Sequence, residues 1–189
     1  MGLPQQQERF DRPAYFAWEA QQPTRNEYVA GEVFARVAAR QEHVLVAGAL
    51  AARFREHLRG TRCRAYPTDM KLEVEAADAV FYPDVMVSCD EADRARALAI
   101  QAPCLIVEVL SDSTAAFDRG AKFAAYRRLA SLQEYLLVDI DARRLELFRR
   151  EPVGWVLHEP EGMGEAAALP LTSIGLDLTA ADAFADLQA

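Results

Sequence analysis

The run Leu105-Ile106-Val107-Glu108-Val109-Leu110 limits the folds open to this chain more than any other stretch. Five of its six residues are aliphatic, and the polar cluster Ser111-Asp112-Ser113-Thr114 ends it. Apolar on both faces, it reads as a strand buried inside a domain. An isolated carboxylate in a dry core costs several kcal/mol unless something neutralises it. Glu108 therefore needs either a structural ion pair or a cation held for a purpose.

The helical and extended periods on either side predict an α/β domain built around a mixed sheet. Tyr15, Phe16 and Trp18 anchor a short helix over 14–21, and Ala30-Gly31 centres a hairpin over 26–38. Val46, Leu50, Phe54 and Leu58 recur every four residues, a helix over 42–60 that Gly60 stops. Strands are expected over 63–75, 79–89, 104–110, 134–140 and 143–150, with a helix over 115–129 capped by Ser113 or Thr114. A short strand around Trp155, the segment Leu169–Leu178 and a helix-like tail close the chain. Residues 1–13 are polar and expected to be flexible, leaving 14–189 as a single domain.

Composition narrows the function classes. With 189 residues and 51% apolar content, one domain has material for a core. No apolar run approaches the ~20 residues that cross a bilayer, and the first residues carry no hydrophobic signal segment. A cytoplasmic protein without membrane partners is expected. Cys63, Cys89 and Cys104 show no metal-ligand spacing, which predicts free thiols in a reducing compartment. The net charge of −8 argues against high-affinity, non-specific DNA binding, although local charge matters more than the sum.

A second strand repeats the oddity of the first. Asp84 sits among Tyr82, Val85, Met86 and Val87, the lone acid of an apolar segment. Two carboxylates brought together repel, and a shared cation lets both stay ionised. Mg²⁺ suits oxygen ligands. Downstream, Asp118 and Lys122 share a helix face, with Tyr126 one turn on. Glu108 stands about 10 Å before the strand end, at ~3.3 Å per residue. Lys122 stands about 10 Å along the helix, at ~1.5 Å per residue. A helix folding back along its strand brings the two level. Two acids, a lysine and a metal suit hydrolysis of a phosphodiester. The same spacing describes a buried salt bridge, and the residues alone leave both readings open.

The segments YPDVMV, P-CLIVEVLSDST and D-RGAKFAAYRRL-SLQEYLLVD resemble the Uma-type restriction endonuclease family. FAWEAQQPTRNEYVAGEVFARVA, EHVLVAGALAARFREHLRG-RCRAYPTDMKL and LPLTSIGLDL extend the resemblance over about residues 14–185. It implies the PD-(D/E)XK nuclease superfamily: a restriction-endonuclease-like core, its mixed β-sheet flanked by helices, preceded by an N-terminal helix and β-hairpin. Pro83-Asp84 matches the PD element, Glu108 the second acid, and Lys122 a lysine moved onto the following helix, because Leu110 occupies its usual place. Asp112 replaces a proline usual in the family.

The resemblance further implies Mg²⁺ (or Mn²⁺) held by Asp84, Glu108 and the Val109 carbonyl, with Asp84, Glu108 and Lys122 catalytic. Glu27, Glu32 and His43 match family positions, and with Asp118 and Tyr126 they are candidate accessory groups. Each also suits a salt bridge, a cap or a core contact. DNA is the expected substrate and a homodimer the expected assembly. Arg53, Arg59 and Arg62 are candidate phosphate contacts. Two alternatives stay open: a non-catalytic nucleic-acid-binding or scaffold protein on the same fold, and a hydrolase of RNA or nucleotides.

Overall fold

The structure is a computed structural model that describes residues 11–187 apart from 37, 162, 163 and 165. Most of the polar segment expected over 1–13 lies outside the described residues. Helix α1 (Arg12–Glu19) starts two residues earlier than its aromatic pattern indicates. Asp11 caps it by accepting from the Ala14 amide at 2.8 Å, and Pro13 fills a first-turn position that needs no N–H.

Strands β1 (Asn26–Val29) and β2 (Glu32–Ala35) form the expected hairpin. Ala30 and Gly31 both take positive φ, the twist that a two-residue turn between antiparallel strands requires. Helix α2 (Gln41–His57) follows, burying Val46, Leu50 and Phe54 along one side.

The next two expected strands each break in the middle. The first divides into β3 (Arg64–Pro67) and β4 (Lys71–Val74), with Asp69 at φ 82° in the turn between. The second divides into β5 (Ala79–Phe81) and β6 (Val85–Ser88). Proline at 67 and 83 has no N–H to give a ladder, so each break falls at or beside one. Asp84 therefore lies at a crossing between sheets rather than inside a strand.

Helix α3 (Glu91–Ala95), β7 (Ala99–Ile100) and the long β8 (Pro103–Leu110) come next. The expected helix over 115–129 is composite: α4 (Ala115–Phe117), a π turn over Asp118–Lys122, and α5 (Phe123–Tyr126). It ends early because Arg128 and Leu129 tighten into i→i−3 bonds to Ala125 and Tyr126. Strands β9 (Glu134–Asp139), β10 (Arg144–Glu151), β11 (Gly154–His158), β12 (Ala168–Leu171) and β13 (Leu176–Thr179) lead to α6 (Ala180–Ala183).

The strands make two mixed sheets and a separate hairpin, where the sequence suggested one sheet. The orders are β2-β1-β5-β4-β7 and β11-β10-β9-β8-β6-β3, with β12 paired to β13. β8 runs parallel to β9 and antiparallel to β6. Its alternation serves two cores. Leu105, Val107 and Val109 pack with α2 and the β12–β13 hairpin, and Ile106 and Leu110 pack with α5 residues and β4–β5. Glu108 shares the second face by the period of two.

Cysteine is a correction. Cys63 and Cys89 are disulfide-bonded, not free. They stand one step beyond the Arg64–Ser88 pair of antiparallel β3 and β6, so register sets them face to face. A linear separation of 26 residues hides that pairing. Cys104 alone is free, buried on β8 with its Sγ 3.8 Å from the Cys89 Sγ. The cysteine count therefore no longer argues for a reducing compartment. No described helix is long and apolar enough to cross a membrane.

Candidate active site

Register brings the two acids together. The β6–β8 ladder pairs Val85 with Val107, so one step further Asp84 stands across from Glu108. The Val109 amide donates to Asp84 Oδ2 at 2.9 Å, locking the break after Pro83 against β8. Lys122 Nζ lies 2.9 Å from Glu108 Oε1 and 3.5 Å from both Glu27 Oε1 and Asp118 Oδ1. The Tyr126 hydroxyl donates to Glu108 Oε1 at 2.7 Å. The π turn that carries Lys122 is pinned from below, where the Tyr135 hydroxyl donates to the Asp118 carbonyl at 3.1 Å. Such turns occur often at functional sites.

A second group of cations holds Asp84. Arg36 Nη2 donates to Oδ1 at 3.2 Å, and His43 Nε2 lies 3.1 Å from Oδ2. Arg36 closes β2 directly after the apolar Val33-Phe34-Ala35; the reading of the sequence missed it. A charge set directly after the apolar run Val33-Phe34-Ala35 is the available signal.

Burial sets the protonation of the cluster. Burial pushes the Asp84 carboxyl up, but His43, Lys122 and Arg36 outweigh it and hold it below its ordinary value. Burial also pushes Glu108 up, to about 8, with Asp84, Asp118 and Glu27 adding to the rise and Lys122 opposing it. For His43, burial favours the neutral ring, yet the bond to Asp84 and its charge raise the pKa overall. Lys122 loses solvation but gains more from Glu108, Glu27 and Asp118, so its ammonium is secured.

These groups line a cavity of about 310 Å³ that also takes in Phe34, Arg40, Leu110, Ser111, Phe117 and Ile140. Glu32 stays outside it, exposed beside the hairpin turn opposite Val29. Arg59 and Arg62 lie past the far end of α2; His43 and that end are about 20 Å apart at ~1.5 Å per residue. Arg53 pairs with Asp182 at 3.6 Å. On β10, Arg149 pairs with buried Glu134, and Arg150 donates to the carbonyls of Arg127, Leu129 and Leu132. Both serve the fold.

The donor set fits a hard divalent cation. Asp84, Glu108 and the Val109 carbonyl present oxygen, the ligand Mg²⁺ takes. Four carboxyl groups, Glu27, Asp84, Glu108 and Asp118, are buried around Arg36, His43 and Lys122, and a bound cation would favour the ionised form of Glu108 that burial disfavours. As they stand, no three His, Cys, Asp or Glu among the described residues are grouped as metal ligands. The cations Arg36, His43 and Lys122 instead satisfy the carboxylates.

Known proteins share both fold and sequence. A crystal structure titled as "a putative nuclease belonging to DUF820", from Anabaena variabilis, superposes with a TM-score of 0.72. The match covers 88% of this chain and 93% of that one at 16% identity, which makes the fold nuclease-like. The profile of the Uma2 family, described as "Putative restriction endonuclease", matches residues 12–181, and the chain belongs to that family. Two uncharacterized proteins of Synechocystis sp. are similar along most of their length. The first, slr1290, is 36% identical over 163 residues, covering 86% of this chain and 84% of the relative. The second, sll1609, is 34% identical over 161 residues, covering 82% and 88%.

Proposed function

We propose that the protein is a metal-dependent endonuclease that hydrolyses phosphodiester bonds in DNA, with Asp84 and Glu108 holding Mg²⁺ or Mn²⁺ and Lys122 serving the developing charge. The supporting observation is the contact of Lys122 with Glu108 at 2.9 Å, across the ladder from Asp84, inside a shared cavity. A bound divalent cation would lower the pKa of a water and offset charge on the phosphate. Asp84, Glu108 and the Val109 carbonyl are the groups that would hold it.

The protein's own residues supply the rest. Lys122 is kept charged by three acids, so it is placed to orient the attacking water or stabilise negative charge as it develops. Tyr126 fixes the Glu108 carboxylate by its hydrogen bond. Glu27 and Asp118 position the ammonium from either side. Arg36 and His43 hold Asp84 and border the cavity, where they can meet a phosphate. By fold-level analogy with restriction-endonuclease-like proteins, a homodimer accompanies this reading.

The test incubates the purified full chain with single- and double-stranded DNA and RNA, in Mg²⁺, Mn²⁺ or chelator, beside Asp84→Ala and Lys122→Ala. Cleavage of DNA that needs the metal and disappears in both variants is the expected result. Cleavage that survives both substitutions rules out this site. Cleavage of RNA alone moves the substrate, and absence of any cleavage or metal binding leaves a scaffold on the nuclease fold.

A further inference from the structure

We infer that the site takes a nucleotide from a single strand, or one swung out of a helix, and excludes an intact duplex. The inference rests on the nuclease reading and names its substrate class. Asp84, Glu108 and Lys122 are only 3%, 2% and 5% exposed, so a scissile phosphate has to descend to them. Its way in is a cavity of about 310 Å³, too small for a duplex, whose major groove alone is ~12 Å wide. In an intact helix each phosphate is tethered through its sugar to a stacked, paired base. That tether keeps it at the helix surface. A single strand lacks the pairing, and a nucleotide turned out of the stack has broken it.

The cavity walls suit such a nucleotide. Phe34 and Phe117 line it together with Leu110 and Ile140, apolar surface of the kind on which a base or sugar rests without sequence preference. The mouth discourages a duplex. Among the exposed charged groups at the cavity, Glu42, Asp112 and Asp141 outnumber Arg40, and they repel two files of phosphates more than one. Arg59 and Arg62, two of the candidate phosphate contacts, lie past the far end of α2 from His43.

The test uses one sequence in three forms: single strand, blunt duplex and a fork with unpaired arms. Initial cleavage rates are read with Mn²⁺, and binding is read by fluorescence anisotropy under conditions in which no strand is cut. The single strand and the fork arms are expected to be bound and cut about tenfold better than the duplex. Ala39→Trp, on the exposed part of the cavity lining, is expected to abolish that advantage without lowering the melting temperature. Equal binding and cleavage of the duplex overturns the inference and leaves the nuclease reading intact. Preferential binding of the single strand with no cleavage of any form overturns the nuclease reading and supports the inference. Failure to bind any form overturns the inference.

Discussion

Lys122 Nζ meets Glu108 Oε1 at 2.9 Å, an ammonium from a π turn set against a carboxylate from the centre of a buried strand. Glu27 and Asp118 share the same ammonium at 3.5 Å. Removing it leaves three carboxylates without their common partner. Lys122→Met is therefore expected to cost about 3–5 kcal/mol in urea unfolding, the range for breaking a buried pair from one side. Glu108→Gln combined with Lys122→Met is expected to cost clearly less than the two single changes added together. Additive losses would show that the two groups do not depend on each other.

Glu108 also gives the metal-free protein a pH signature. Its ordinary value is 4.5, and in the folded chain burial lifts it to about 8. Between those values the folded state holds a proton that the unfolded state has released. Stability attributable to Glu108 is therefore present at low pH and declines as pH rises through that window. Asp84 behaves in the opposite sense: its carboxyl is held low, so its contribution is lost as pH falls below the ordinary value. Denaturation across this range should show a downward slope that Glu108→Gln flattens. An unchanged slope in the variant would assign the titration elsewhere.

Tyr126 separates positioning from charge. Its hydroxyl bonds Glu108, while its ring packs edge-on to Phe81 and Tyr135. Tyr126→Phe keeps the ring contacts and removes one hydrogen bond. A loss of about 1 kcal/mol is expected, a fall in melting temperature of roughly 2–4 °C for a chain of this size. Cleavage should weaken while metal dependence is retained. Loss of all metal dependence would give the hydroxyl a larger role than orienting Glu108.

The thiols make a prediction independent of the site. Burial pushes Cys104 up to about 11, so it stays protonated and unreactive near neutral pH. In the native protein no thiol should react with an alkylating reagent. Denaturation without reductant should expose one, and reduction should add the pair from Cys63 and Cys89. Three reactive thiols on denaturation without reductant would contradict the disulfide. Reduction should also lower stability by about 3.5 kcal/mol, the loop-entropy value for a closure of this length.

Local pattern carried much of the architecture. The aliphatic run of β8, the Ala30-Gly31 turn and the four-residue stripe of α2 all report short-range rules, and each element formed close to where its pattern lies. The level placement of Glu108 and Lys122 was legible too, because rise per residue fixes height in a strand and in the helix beside it. What stayed hidden is set by long-range pairing. The breaks at 68–70 and 82–84 depend on which sheet each half joins, and the apolar alternation simply continues across them. The Cys63–Cys89 pairing needed the β3–β6 register. Arg36 on Asp84 and the displacement of Glu32 from the site follow from how the hairpin packs, and its spacing does not report that.

Titration calorimetry of Mn²⁺ into the wild-type chain, Asp84→Asn and Glu108→Gln bears most directly on the site. A saturable heat in the wild type that is lost in both variants is expected if Asp84 and Glu108 together hold the cation. Wild-type protein that takes up no metal, or variants that bind it as well as the wild type, would contradict a metal-dependent nuclease centred on these residues.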